Sequence, residues 1–264
     1  MKRLFFPDVY FEYKTATTPS DQHFKHMHNE WELYYFLSGD IDYILDRSSY
    51  HLKKHDLLLI RPNVYHYAIR NTQEPYKRFV INFSPEIAEK YLADHDSSFS
   101  IFSIDENEYI HRVFEFLKEL PSNVELEDSH QLLRHSLETI LLLLNYKPKG
   151  KMPVAITSPP LAFQKLLDYI DEHIFDPLSV KDLADEFFVS ESWVIHNFKK
   201  YLNIGAKQYI NNKKILYAQS MIQSGKSATE VAVLCNFEDY STFYRVYKKY
   251  LGCSPRQDEK KQND

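Results

Sequence analysis

Three groups of residues in this 264-residue chain are spaced so that they could do chemistry. A lysine pair follows an aromatic residue twice, 49 positions apart. The copies are Phe198-Lys199-Lys200-Tyr201-Leu202-Asn203 and Tyr247-Lys248-Lys249-Tyr250-Leu251-Gly252. Paired ammonium groups at a helix end suit phosphate oxygens. Ahead of each pair stand residues able to meet base edges: Ser192, Ile195 and His196 in one copy, Ser241, Thr242 and Arg245 in the other. A guanidinium such as that of Arg245 can grip guanine O6 and N7 together, whereas Ile195 can only touch a thymine methyl. The third group is His26, His28 and Glu32 with the later His66. Imidazole and carboxylate suit a divalent transition metal, or the polar wall of a ligand pocket. No catalytic triad, phosphate-binding glycine loop or thiol site is evident, so an enzyme is not expected.

The elements that must position the lysine pairs are themselves duplicated. Val180-Lys181-Asp182-Leu183-Ala184 has its echo in Ala228-Thr229-Glu230-Val231-Ala232. Each copy reads as a short helix, a turn and a second helix, the geometry that lays a helix in the DNA major groove. Ala184 and Ala232 sit where the helices cross, and Val189 and Phe237 plug the small core. Asn236 falls at a turn where positive φ is expected. Ser190 and Asp239 are the N-cap candidates. Trp193, Val194 and Phe198 form one apolar stripe, and Phe243, Val246 and Tyr247 another. A linking helix over Lys207 to Ser224 turns Ile210, Ile215, Ala218 and Ile222 inward, and Gly225 stops it. Such a rod would hold the reading helices about one DNA turn, ~34 Å, apart. Leu161 to Ile174 starts the domain, with Phe163, Leu166, Leu167 and Ile170 as its core face.

With these residues the segment resembles the DNA-binding domain of AraC/XylS-type transcription regulators. The resemblance rests on Phe237, Ser241-Thr242-Phe243, Lys248-Lys249 and Gly252-Cys253-Ser254-Pro255. It departs from the family pattern at Asn236 (usually Gly), Lys214 (usually Arg) and Asp258-Glu259 (usually Tyr-Arg). It implies sequence-specific binding of double-stranded DNA, with RNA polymerase as a further partner. The net charge of −5 does not oppose this, because charge is segregated. Ser192 to Arg256 holds ten Lys/Arg against three Asp/Glu, and Leu161 to Glu191 two against eight.

The first hundred residues read differently. Residues 1–22 look irregular. Strands follow at Trp31–Leu37, Ile41–Leu45, Asp56–Ile60, Tyr65–Ile69 and Phe79–Phe83, with a turn at Ser38-Gly39-Asp40. The spacing His26-x-His28-x3-Glu32-x6-Gly39, with Pro62 and His66, resembles the cupin barrel found as the sensor half of AraC-type regulators. That implies a small-molecule pocket lined by His26, His28, Glu32, Tyr34, Arg61, His66 and Tyr67. Aromatic faces beside Arg and carboxylate suit a polyhydroxylated effector such as a sugar. No cofactor is expected on this reading. The alternative is a divalent metal held by His26, His28, Glu32 and His66.

Asp105 with Glu108 signals a helix start, followed by an apolar face of Tyr109, Val113, Phe116, Leu117 and Leu120. A second helix, from about Asp128 to Tyr146, repeats Leu133, Leu137, Ile140 and Leu144 at 4-3-4 spacing, a seam expected to pair two subunits. The expected class is α+β in two domains. Residues 1–103 form the cupin-like β-barrel, 104–146 a helical dimerisation segment, 147–160 a linker rich in proline, and 161–264 an all-α double helix-turn-helix. No run is long enough to span a bilayer, the N-terminus lacks a signal-peptide core, and two cysteines make no disulfide framework. These features point to the cytoplasm. The favoured reading is a ligand-controlled, dimeric DNA-binding regulator with no membrane partner. The rivals are a metal-dependent cupin enzyme with a helical appendage, and a constitutive dimeric DNA binder.

Overall fold

The computed structural model describes residues 1–16, 27–45, 48–92, 95, 97–104, 108–121, 124–145, 155 and 158–260. It divides into two compact units, Met1–Thr157 and Ser158–Asp264. His26, Asp105 and most of the proline-rich linker lie outside the described residues.

The first unit is built on two sheets. Strands β1 (Lys2–Phe5), β2 (Val9–Ala16), β3 (Trp31–Ser38), β6 (Asp56–Ile60), β8 (Tyr76–Phe83) and β9 (Phe99–Ser103) form a six-stranded sheet in the order β1-β2-β8-β3-β6-β9. Strands β4 (Ile41–Leu45), β5 (Ser48–His51) and β7 (His66–Arg70) form a second, in the order β5-β4-β7. The expected barrel is therefore corrected to two separate antiparallel sheets among the described residues. The irregular N-terminus is corrected too. Val9–Ala16 pairs along its whole length with β8, from Val9 opposite Phe83 to Ala16 opposite Tyr76.

Alternation along β3 explains the layering, since successive side chains point to opposite faces. Trp31, Leu33 and Tyr35 join the core shared with helices α1 (Pro85–Leu92), α2 (Glu108–Glu119) and α3 (Leu126–Asn145). Tyr34 and Phe36 join the core shared with Ile41, Tyr43, Leu45 and Ala68 of the smaller sheet. Glu32 shares the parity of Tyr34 and therefore faces the inter-sheet layer. Gly39 turns β3 into β4 at φ +121°, and a Cβ there would collide with the Cβ of Tyr76, so both space and backbone demand glycine.

Two expectations for the helices are corrected. The inward face of α2 is Ile110, Phe114 and Leu117, whereas Tyr109 and Phe116 are 71% and 46% exposed. Leu133, Leu137, Ile140 and Leu144 of α3 are consumed by the unit's own core. Heptad-like spacing marks a buried helix seam, and here the partner is the six-stranded sheet and its neighbouring helices.

The second unit is all helix: α4 (Leu161–Glu172), α5 (Val180–Glu186), α6 (Glu191–Asn197), α7 (Ala206–Gln223), α8 (Ala228–Leu234), α9 (Tyr240–Leu251) and α10 (Pro255–Lys260). Phe163, Leu166, Leu167 and Ile170 of α4 are fully buried, as are Ile215, Ala218 and Ile222 of α7. Gly225 follows α7 at φ +100°. Asp258 on α10 is buried and accepts hydrogen bonds from Tyr247 Oη at 2.7 Å and Gln219 Nε2 at 3.4 Å. The acidic departure near the C-terminus is thus an internal tie between α10, α9 and α7.

Candidate functional site

The helix-turn-helix units are α5–α6 and α8–α9, and each is fixed by its own capping chemistry. Ser179 and Asp182 form a capping box that starts α5, and the Ser227 side chain caps α8. Both first helices end identically. Val189 N–H donates to Ala184 C=O at 3.0 Å, and Phe237 N–H to Ala232 C=O at 3.1 Å. Each bond closes around a left-handed residue, Phe188 at φ +52° and Asn236 at φ +53°. Ser190 then accepts from Trp193 N–H at 3.1 Å, and Asp239 from Thr242 N–H at 2.7 Å, so both second helices are capped where the sequence placed them.

Val194 and Phe198 in one unit, and Phe243 and Tyr247 in the other, are buried. Ser192, Ile195, His196, Lys199 and Lys200 are exposed on the first second-helix and its continuation, and Ser241, Arg245, Lys248 and Lys249 on the other. Ile195 is 56% exposed, a large apolar side chain left in water. Thr242 is only half-exposed, and its hydroxyl donates to Asp239 Oδ2 at 2.9 Å, which ties it to the cap. Lys214 is buried along α7, where its Nζ reaches Asp176 C=O at 3.4 Å and burial lowers its pKa.

In the first unit, the inter-sheet layer brings His28, Glu32 and His66 together. His28 Nε2 lies 3.1 Å, and His66 Nε2 3.4 Å, from Glu32 Oε2. Tyr43 Oη donates to Glu32 Oε1 at 3.3 Å, and Asn82 Nδ2 lies 3.2 Å from His28 Nε2. Burial raises the pKa of Glu32, but the charges and hydrogen bonds of His66 and His28 prevail and hold it well below the usual carboxylate range. Burial lowers that of His28, yet its hydrogen bond and charge partner Glu32 prevail and raise it.

Tyr34 belongs to the same layer, its ring 4.6 Å from that of Tyr43. Two other expected lining residues do not join them. The Arg61 guanidinium stacks 5.3 Å over Trp31, whose ring belongs to the helix-side core. Tyr67 pairs with Ile44, on the opposite parity from His66 and Ala68, and so faces away from the layer.

Residues that the sequence reading passed over complete the layer. Arg78 is fully buried, donates from Nη2 to Glu12 Oε1 at 3.0 Å, and stacks 5.4 Å from the Tyr76 ring. Glu12 also accepts from Arg3 Nε at 2.7 Å and Tyr10 Oη at 3.1 Å. A cleft of about 370 Å³ opens beside this network, lined by Tyr10, Glu12, Glu30, Glu32 and Asn82 together with Phe5 and Val80. The period-2 spacing Tyr76, Arg78, Val80, Asn82 carried the signal, which a strand starting at Phe79 truncates.

A two-sheet domain with a polar interior, joined to two capped helix-turn-helix units, defines the class: a ligand-binding domain coupled to a nucleic-acid reader. Residues 8–144 match the AraC-like ligand binding domain and residues 183–261 a helix-turn-helix domain, and the chain belongs to the AraC family. Among its relatives, the thermoregulatory protein LcrF of Yersinia pestis is 24% identical over 246 residues, which cover 87% of this chain and 89% of LcrF. The uncharacterized HTH-type transcriptional regulator YijO of Escherichia coli is 25% identical over 54% of this chain, a match that spans about half (51%) of YijO. The melibiose operon regulatory protein of Escherichia coli is 27% identical over 35% of this chain and 31% of its own length.

Proposed function

We propose that the protein is a sequence-specific transcription regulator whose binding to double-stranded DNA is controlled by a small molecule held in the inter-sheet layer. The observation that carries the reading is the duplicated unit: two capped second helices, each with a buried apolar stripe and an exposed polar and basic face. Lys199, Lys200, Lys248 and Lys249 would meet phosphates. Ser192, Ile195, His196, Ser241 and Arg245 would meet bases, with Thr242 contributing through its remaining lone pair.

The effector reading rests on the polar interior. Tyr34, Tyr43, Glu32, His28 and His66 offer aromatic faces beside hydrogen-bonding groups, which supports a polyhydroxylated metabolite such as a sugar. An effector can act only by binding one arrangement of the protein better than another. A homodimer would need a surface other than Leu133, Leu137, Ile140 and Leu144, which the unit's own core consumes. RNA polymerase is a partner reached on the DNA. The cytoplasm is the compartment this role requires, and no described helix is long and apolar enough to cross a membrane.

The test is selection of bound fragments from genomic DNA with the purified full chain, followed by salt titration with and without sugars. A salt-sensitive, sequence-dependent affinity that one sugar class shifts is the expected result. An affinity for no duplex long enough to present two successive major grooves would refute the regulator reading. Binding indifferent to every sugar would refute the effector class alone.

A further inference from the structure

We propose that Arg78 recognises a carboxylate and that the effector is a sugar acid, a monoanion with its carboxylate at Arg78 and its hydroxyl groups in the adjoining cleft. The register of the six-stranded sheet places these groups. On the face turned to the inter-sheet layer, β2, β8 and β3 present three successive rows. The first is Tyr10, Asn82 and Glu32, the second Glu12, Val80 and Tyr34, the third Lys14, Arg78 and Phe36. The whole first row, with Glu12 and Val80 of the second, lines the cleft. Arg78 stands one row beyond, and its guanidinium reaches back to the cleft-lining Glu12, donating from Nη2 to Oε1 at 3.0 Å.

Arg78 is fully buried, yet its Nε and Nη1 have no hydrogen-bond partner among the described residues, and neither has the buried hydroxyl of Tyr34. Buried donors are rarely left so, because each loses its water without a replacement. Tyr34 is the diagonal neighbour of Arg78 across β3 and β8, a separation that long side chains span. A guanidinium only donates and a carboxylate only accepts, and hydrogen bonds between charged partners are the stronger kind. A sugar hydroxyl fits less well, since its own hydrogen would need an acceptor beside a group that has none. Charge points the same way. Arg3 and Arg78 share the single carboxylate of Glu12, so the trio carries one surplus positive charge. Glu32 does not offset it, because its Oε2 faces His28 and His66 and its Oε1 accepts from Tyr43.

The cleft has the opposite character. Glu30, Glu32 and the Asn82 amide bring acceptor oxygens to it, which suit the hydroxyl donors of a sugar. Its volume of about 370 Å³ lies at the small end of ligand pockets, as a single sugar unit requires. Donors at one end and acceptors at the other select a ligand that is acidic at one end and polyhydroxylated along the rest. A sugar phosphate would bring two negative charges to one surplus positive charge and is the poorer match. The inference rests on the effector reading above and narrows it.

The experiment titrates the full chain by calorimetry with D-glucuronate, D-galacturonate and D-gluconate, each beside its neutral aldose. D-glucose 6-phosphate and hexanoate, a carboxylate without hydroxyls, complete the panel. At least one sugar acid should bind more than ~10-fold tighter than its neutral counterpart. Tyr34→Phe keeps the ring and removes only the hydroxyl, and it should weaken that acid ~10-fold. Arg78→Lys should bring the affinities for acid and neutral sugar toward each other, and Tyr34→Phe keeps the test usable where Arg78→Lys fails to fold. Acids that bind no better than neutral sugars overturn the assignment and leave the sugar-effector reading standing. A preference for the phosphate or for hexanoate overturns the sugar-acid class. Acid affinity untouched by both substitutions overturns the role of Arg78. Binding of no sugar and no acid sinks the inference and the effector reading together, while DNA affinity measured in parallel still decides the regulator reading.

Discussion

The two helix-turn-helix units share a sequence template but not a backbone. In the second unit, α9 runs as an unbroken twelve-residue α-helix from Tyr240 to Leu251 and ends at Gly252, φ +76°. In the first, α6 is α-helical only to Asn197, and Phe198–Leu202 continue as a π-helical turn that ends at Asn203, φ +53°. Lysines at equal distances from the two caps therefore point differently. A π-turn takes an extra residue, which lags the following side chains by about 100° of helical rotation. Asn197 is buried and donates from Nδ2 to Trp193 C=O at 2.8 Å, side-chain support that lies just before the widened turn. The lesson is that a repeated motif fixes the cap and the core stripe, while the face offered to DNA beyond them is set locally. On the proposed function, the second unit would read DNA with a straight helix, and the first would grip phosphate from a displaced position.

The largest expected difference lies at the bases. Arg245→Ala should lose about 1–3 kcal/mol of discrimination at one base pair, since the bidentate guanidinium contact proposed for it would be removed. His196→Ala should lose less, because a neutral imidazole makes one hydrogen bond at most to a base edge. Affinities for an operator and its single-base variants measure both. Equal losses would dissolve the asymmetry.

The turn between helices gives a sharper contrast. Phe188, a residue 96% exposed, occupies the left-handed position at φ +52°, while the second unit uses Asn236 there. A left-handed conformation costs an ordinary L-residue about 1–2 kcal/mol, and Asn bears it better. Phe188→Asn should therefore stabilise the domain by ~1 kcal/mol, and Asn236→Phe should destabilise it similarly. Chemical denaturation of both variants reads the pair. A destabilising Phe188→Asn would mean that the exposed ring makes a contact that outweighs the strain.

The caps separate by chemistry. Ser190→Ala should cost about 1 kcal/mol. Asp239→Ala should cost more, because Asp239 holds both the N–H and the hydroxyl of Thr242. The carboxyl of Asp239 is also pH-sensitive. Hydrogen bonds from the Thr242 backbone and hydroxyl lower its pKa in the folded chain. Its contribution is thus complete above the unfolded-state value and is lost as pH falls through the folded one. Acid should loosen the second reading helix at its start and leave the first, capped by an un-ionisable hydroxyl, unchanged. Amide exchange at Thr242 and Trp193 across the acid range distinguishes the two caps.

How far the sequence reached follows from the same physics. The helical unit was legible because its boundaries carry local signals: Ser190 and Asp239 as caps, Gly225 as a stop. Strands β3, β4, β6, β7 and β8 were legible too, but β2 was not, because it pairs with β8 some seventy residues away, and its Glu12 looks like surface until Arg78 and Arg3 are seen beside it. His28, Glu32 and His66 were legible as a set. Arg61 and Tyr67 were misplaced because nearness in sequence does not fix which face of a strand a side chain takes. The α3 leucines failed for another reason: 4-3-4 spacing reports a buried seam and says nothing about whose surface fills it.

The smallest expected effect is the most direct probe of the displaced grip. Each phosphate neutralised by a lysine contributes about 0.9 to the slope of log affinity against log salt. Lys248→Ala should flatten that slope by about 1 and weaken binding to all sequences alike. Lys199→Ala, in the π-turn, should flatten it by less, because the turn swings that ammonium away from the path traced by Lys248, while Lys200→Ala should flatten it by about 1, Lys200 taking over the contact. Between 50 and 200 mM salt a full unit of slope is only about a four-fold change in affinity, so titrations need several salt concentrations. Equal slopes for Lys199→Ala and Lys248→Ala would mean that the first unit's lysines reach phosphate as the second's do, and that the π-turn is a detail of packing rather than of recognition.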